Sequence, residues 1–261
     1  MSDDLAPKGG ANALWRDLRT LTAARIGLAR TGASIATGPL LEFQLAHAQA
    51  RDAVHQELDA KRLSTDLASL GLPVLIVDSA VEARRDYLMR PDLGRQLAPE
   101  SKARLASCAG RYDVVLVIAD GLSARAVQNH AAPVLTTLLP ALQAEGLAVA
   151  PLVIARHARV AIGDVIAQTI GADAVAILIG ERPGLSSPDS MGAYLTWQPK
   201  SETTDADRNC ISNIRPEGIG VAQASIKIAY LLRAMRVRGV SGLRLKDKSD
   251  RLIDGGLPDG V

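Results

Sequence analysis

The sequence predicts an α/β fold with a doubly wound, mostly parallel sheet of the Rossmann or flavodoxin-like kind and a helical N-terminal arm. Three observations predict it. Four short runs, 73–78, 113–120, 150–155 and 174–179, are almost continuously Val, Ile, Leu and Ala, the pattern of strands buried on both faces. Helical stretches at 80–90, 95–108, 123–145 and 161–171 alternate with them, as in βαβ units. The chain has 261 residues, 48% of them hydrophobic, enough to bury a core without disulfide or metal staples.

Taken in order, residues 1–12 are rich in Gly, Asp and Pro and are expected to form a flexible tail. The helical arm is expected over 13–60. Leu14, Leu18, Leu21, Ile26 and Leu28 recur at helical spacing, so one helix is expected from Leu14 to Arg30, stopped by Gly32 and Thr37-Gly38-Pro39. Leu41 to Leu58 reads as a second helix, and the first 60 residues or so carry no strand signal. An α/β domain follows over 61–247. After its four apolar runs, Ala193 to Gln198 reads as an edge strand, Val221 to Arg238 as a long amphipathic helix and Ser241 to Lys246 as a last short strand. Residues 208–214 alternate polar and apolar with no helical pattern. A second flexible tail is expected over 248–261.

Lys and Arg number 30 against 28 Asp and Glu, a net charge of +2, and aromatic residues make up 3%. There is no basic stripe and no base-stacking platform, which argues against a nucleic-acid partner. Arg outnumbers Lys, 23 to 7. Arginine suits planar recognition of partners and phosphates, although a GC-rich genome explains most of this bias. No apolar run approaches the ~20 residues of a membrane helix, and the polar, acidic start is unlike a signal peptide. Cys108 and Cys210 are isolated, which gives neither a disulfide framework nor a zinc site and suits a reducing cytoplasm.

Ligands of open α/β sheets bind beyond the carboxyl ends of the strands. Three loops stand there: Asp120-Gly121-Leu122-Ser123, Arg156-His157-Ala158-Arg159-Val160, and the long segment Gly180 to Ser190. No G-x-G-x-x-G follows a strand and no phosphate-binding G-x-x-x-x-G-K-[ST] occurs. Gly121-Leu122-Ser123-Ala124-Arg125 lacks the second glycine of a hydrolase nucleophile elbow. His47, His55, His130 and His157 share no metal spacing and read as helix or loop histidines bonded to neighbours. Cys108 reads as a small core residue, and burial is the ordinary reading of Cys210 too. On residues alone this is an α/β ligand-binding domain whose ligand is open.

Five segments in order carry more. Leu21-Thr22-Ala23-Ala24-Arg25-Ile26, the stretch from Phe43 to Val54, Ile118-Ala119-Asp120-Gly121-Leu122-Ser123, Gly180-Glu181-Arg182-Pro183-Gly184-Leu185 and Asn209-Cys210-Ile211-Ser212-Asn213-Ile214 together resemble the small (light) subunit of ethanolamine ammonia-lyase. The resemblance runs from about Leu18 to Lys246. It implies an adenosylcobalamin-dependent lyase that converts ethanolamine to acetaldehyde and ammonia by a radical mechanism. It further implies a hetero-oligomer in which a TIM-barrel large subunit holds the substrate and the small subunit closes over the cobalamin. The implied setting is cytoplasmic, within a bacterial microcompartment. No catalytic residue and no metal ligand carry over to this chain. Three positions do carry over as cobalamin contacts: Val160, Glu181 and Cys210. Other α/β cobalamin domains use D-x-H-x-x-G to supply a histidine to cobalt. Here Ala155 and Val160 flank His157, so the cofactor is expected to keep its own base. Ala29 and Ala36 stand where the family has Gly and Pro. Two other classes remain: a stand-alone nucleotide-binding enzyme, suggested by the strand–helix alternation, and a scaffold partner docking through its N-terminus.

Overall fold

The computed structural model describes residues 9–250. Residues 1–8 and 251–261, the greater part of the two expected tails, lie outside the described residues. Helix α1 is Gly9–Thr20, strands β1 (Arg30–Thr31) and β2 (Ser34–Ile35) form a small hairpin, and α2 is Thr37–His55. Helix α3 (Ala60–Ala68) leads into β3 (Val74–Asp78), α4 (Arg84–Met89), α5 (Pro99–Ala106), β4 (Tyr112–Ala119) and α6 (Ala124–Ala144). Then come β5 (Leu152–Arg156), α7 (Ile162–Ile170), β6 (Ala172–Gly180), β7 (Met191–Trp197), β8 (Asn209–Ile214) and α8 (Val221–Arg238). The six strands from β3 to β8 make one mixed sheet, ordered β3-β5-β4-β6-β7-β8. The first four run parallel, and β7 and β8 each run antiparallel to the strand before.

The continuous apolar runs are explained by helices on both faces. Side chains alternate along each strand. Val114, Leu116, Ile118, Ile154, Ala176 and Leu178 face Leu63 and Leu67 of α3, Leu135 and Leu138 of α6, and Ile228 and Leu232 of α8. Val115, Val117, Val153, Val175 and Ile177 face the other way, against Leu105 of α5 and Ile162, Ile166 and Ile170 of α7. Both β4 and β6 lie inside the sheet, and their last six and seven residues are buried.

Several expectations are corrected. The helix expected from Leu14 to Arg30 ends at Thr20. The Arg19 guanidinium donates to the carbonyls of Ile26 and Gly27, folding the chain back, and Gly27 takes a left-handed φ of 55°. The hairpin then interrupts a region read as purely helical. Pro39 is no stop: it lies in the first turn of α2, where its missing N–H has no helical partner to lose. Helix α3 went unread. Strand β7 is interior, and the edge is β8, the alternating segment left without an assignment. The strand expected at Ser241 to Lys246 is instead a 3-10 turn, Gly242–Arg244, after the Ser241 hydroxyl donates to the Asp207 carbonyl (2.6 Å). At the other end, Lys227 of α8 is buried and holds Asp247 (3.3 Å), Ser249 (3.2 Å) and Asp250 (2.6 Å), and Ser249 is itself buried.

Candidate functional site

The carboxyl ends of the parallel strands carry three open, adjoining clefts of about 560, 420 and 390 Å³. Arg159 lines all three. The largest lies between α2 (His47, Val54) and the loop at 182–185, the middle one between Leu122, Val160, Glu181 and Tyr194, and the smallest between Arg95, Val160 and Arg208.

Beneath them is a buried polar floor. Asp120, at the end of β4, accepts from the backbone N–H of His157 (2.8 Å) and Ala158 (2.9 Å). His157 adopts a left-handed φ of 51° in this turn, and its carbonyl accepts from Ser79 (2.7 Å). Arg84 Nη1 lies 3.4 Å from the Asp120 carboxylate and donates to the Gly121 carbonyl (2.8 Å), while Nε donates to the Val54 carbonyl of α2 (2.9 Å). Burial pushes the Asp120 carboxyl up, against those two N–H donors and Arg84. The guanidiniums of Arg84 and Arg159 both pack on the Tyr87 ring, 4.7 and 4.2 Å from its centroid. Tyr87 is fully buried, its hydroxyl donates to the Ala158 carbonyl (3.2 Å), and burial pushes its phenol well up.

The β4 and β6 ends are sealed by backbone contact. Leu122 N–H donates to the Gly180 carbonyl (2.9 Å). Gly121 sits at φ 54°, and a Cβ there would run into that same carbonyl. A Cβ on Gly180 would strike the Ser123 carbonyl. Ser123 caps α6 by accepting from Ala126 N–H (3.3 Å) and donates to the Pro188 carbonyl (2.9 Å). Asp189 lies 3.4 Å from His130 Nε2, so the far end of the long loop is docked on α6.

The near end of that loop is held by Glu181. Its carboxylate accepts from the Ser190 and Ser212 hydroxyls and from Asn213 N–H (3.1 Å). It thereby ties the loop to edge strand β8, and among the described residues it makes no ion pair with Arg182. Val160, half-buried, forms the wall between the middle and smallest clefts. Cys210 is exposed on β8, paired in register with Tyr194, and does not itself line the middle cleft. The residue is exposed, yet its sulfur is sheltered enough that burial pushes the thiol up, Tyr194 opposes the rise, and the Glu181 carboxylate adds to it. Val160 and Glu181 are thus brought into one cleft, with Cys210 one strand away behind Tyr194. Cys108, read as core, is half-buried.

Nothing in the sequence singles out Arg84 or Tyr87, and Arg159 and Arg182 stand in the quoted loops with no role of their own. Arg84 and Tyr87 sit in the charged stretch 82–86 and just after it, which looks like a solvated helix face. The signal available for Arg159 was its place directly after a strand end. Among the described residues no three His, Cys, Asp or Glu side chains are grouped to hold a metal ion, and no helix is long and apolar enough to cross a membrane.

Comparisons with known proteins agree on one family. Residues 12–246 match the family model described as Ethanolamine ammonia-lyase light chain. The chain is 56% identical over 235 residues to an ethanolamine ammonia-lyase small subunit from Rhodopseudomonas palustris (strain BisA53), covering 90% of each chain. A small subunit from Azotobacter vinelandii is 51% identical over 240 residues, 90% of this chain and 89% of that one. One from Pseudomonas aeruginosa (strain LESB58) is 47% identical over 263 residues, 99% of this chain and 96% of that one.

Proposed function

From the chain's membership of the ethanolamine ammonia-lyase light-chain family, as a subunit of that lyase, we propose that it binds adenosylcobalamin together with a TIM-barrel large subunit. In this reading the complex converts ethanolamine to acetaldehyde and ammonia. When bound, adenosylcobalamin supplies the radical chemistry; the residues of this chain supply position and shelter.

The observation that carries the reading is the cleft shared by Val160 and Glu181. Its lining fits a corrinoid. Val160, Leu122, Ile179 and Tyr194 offer apolar surface for a ring edge, and Glu181 and Arg182 offer an acceptor and a donor for amide side chains. A carboxylate has about four lone-pair sites, and three on Glu181 are engaged within the chain, so one remains for a ligand N–H or O–H. The clefts are open and shallow for a cofactor of this size, which supports a partner that covers it from the opposite side. Cys210, paired in register with the cleft residue Tyr194 on the next strand, is the third contact in this reading. A cytoplasmic setting within a microcompartment belongs to the same reading; the two free cysteines suit a reducing cytoplasm and do not bear on the microcompartment.

The test is reconstitution. The chain mixed with the large subunit and adenosylcobalamin is expected to release ammonia from ethanolamine, and neither chain alone. Ammonia released by this chain by itself contradicts the reading.

A further inference from the structure

Arg159 is an arginine without an anion. Three arginines around it have carboxylate partners: Arg208 pairs with Asp164 through two contacts of 2.6 Å, Arg156 lies 2.5 Å from Asp78, and Arg84 faces Asp120. Arg182, which lines two of the clefts with Arg159, is exposed and has no such partner among the described residues. No carboxylate among the described residues lies within 4.0 Å of the Arg159 guanidinium. Its Nε is buried and has no acceptor. The group is nonetheless held firmly. It stacks on Tyr87, Nη2 donates to the Tyr87 carbonyl (3.2 Å), and its stem packs so closely on Gly94 that a Cβ there would come within 2.9 Å. Arg95 lines the smallest cleft with it, exposed, and also without a carboxylate partner among the described residues. The one acidic group lining that cleft, Asp205, faces Arg208 Nε at 3.5 Å.

A fixed, uncompensated guanidinium opening on a cleft is a receptor for an oxyanion, because the planar fork loses little freedom when it binds. We propose that Arg159, supported by Arg95, is a phosphodiester site that takes the bridging phosphate of cobalamin's nucleotide tail. This rests on the cobalamin reading above. The corrin's peripheral amides are neutral, so the phosphodiester is the group of that cofactor that asks for a cation. Arg159 also joins the middle cleft, walled by Val160, to the smallest, so one ligand spanning both passes over it.

The experiment compares two corrinoids on the complex of both subunits. Cyanocobalamin carries the phosphodiester and dicyanocobinamide lacks it; the first is read by equilibrium dialysis and visible absorbance, the second by displacement of the first. Arg159→Gln is expected to weaken cyanocobalamin by roughly 10- to 100-fold and cobinamide by less than about twofold, with Arg159→Lys between Gln and the parent. Arg95→Gln, at an exposed position, is expected to cost roughly threefold, again for cyanocobalamin alone. If both substitutions weaken the two corrinoids equally, or weaken neither, the phosphodiester site is overturned. A parent complex that retains neither corrinoid overturns instead the cobalamin reading beneath it.

Discussion

Glu181 shows what a single side chain does here. The resemblance singles it out as a ligand contact, and the structure adds that it is first a clamp, holding Ser190, Ser212 and Asn213. Glu181→Gln keeps the shape but replaces one acceptor oxygen by an N–H that faces donors. Losing a charge-assisted bond and leaving donors unpaired costs about 1.5–3 kcal/mol. Cobalamin retention by the subunit complex, followed by absorbance after gel filtration, is expected to fall at least tenfold, and unchanged retention rejects the assignment. Arg84 is a sharper case because it is buried and answers Asp120. Arg84→Met is expected to destabilise by about 3–5 kcal/mol, since it leaves a buried carboxylate with only its N–H donors. Urea unfolding of the complex measures it. Neither role was legible beforehand: a charge next to other charges in sequence looks solvated, and only the fold turns Arg84 inward. Val160 and Glu181 were legible as rim residues because a parallel sheet puts every loop after a strand on one side.

Elements were legible where burial is two-sided. The four parallel strands and α8 stand where their apolar patterns put them, because a run covered on both faces needs no partner to be recognised. The misreadings fall where tertiary contacts decide. Apolar spacing beyond Thr20 suggests helix, but Arg19 binds the carbonyls that a continuing helix would have used. Strand β8 is half-exposed, and its alternation, visible over 208–214, is too short to assign a strand by itself. The β4 and β6 ends make an element-scale prediction. Gly180→Ala sets a Cβ against the Ser123 carbonyl, and either β6 or the cap of α6 must shift. A loss of about 1–3 kcal/mol is expected, with a lower melting temperature of the complex. The C-terminal segment makes another. Burial raises the Asp247 carboxyl, but the Ser249 hydrogen bonds and the Lys227 ammonium overcome it and hold it below the usual range. Its contribution is therefore complete above the ordinary carboxylate value and is lost as pH falls through the depressed one. Protection against hydrogen exchange at residues 245–250, taken relative to the unstructured-chain rate at each pH, is expected to fall below about pH 4 while the core strands stay protected.

For the whole molecule, the α/β class and the helix-covered, mostly parallel sheet could be read from the strand–helix alternation, and the strand order could not. Parallel strands fix no neighbour by themselves, since each crossover is free to skip one. The molecule also exposes apolar surface that its own core does not use. Leu41 and Leu45, one turn apart on the same side of α2, are 58% and 60% exposed. In the proposed hetero-oligomer that surface is available to a partner. Leu41→Glu with Leu45→Glu is expected to leave the fold intact and to weaken assembly with the large subunit at least tenfold, read by analytical ultracentrifugation.

The pairing of β3 with β5 reaches further than architecture. Asp78 meets Arg156, 78 positions later, and β3 has no other neighbour in the sheet. A ribosome adds about 5–20 residues per second, so the first strand waits roughly 4–15 s before its neighbour has been made. Through that interval Val74, Leu75, Ile76 and Val77 can pack on α3 and α5 but lack the strand that pairs with their backbone. The unpaired backbone edge of β3 is therefore exposed longest while the chain is being made, not once it has folded.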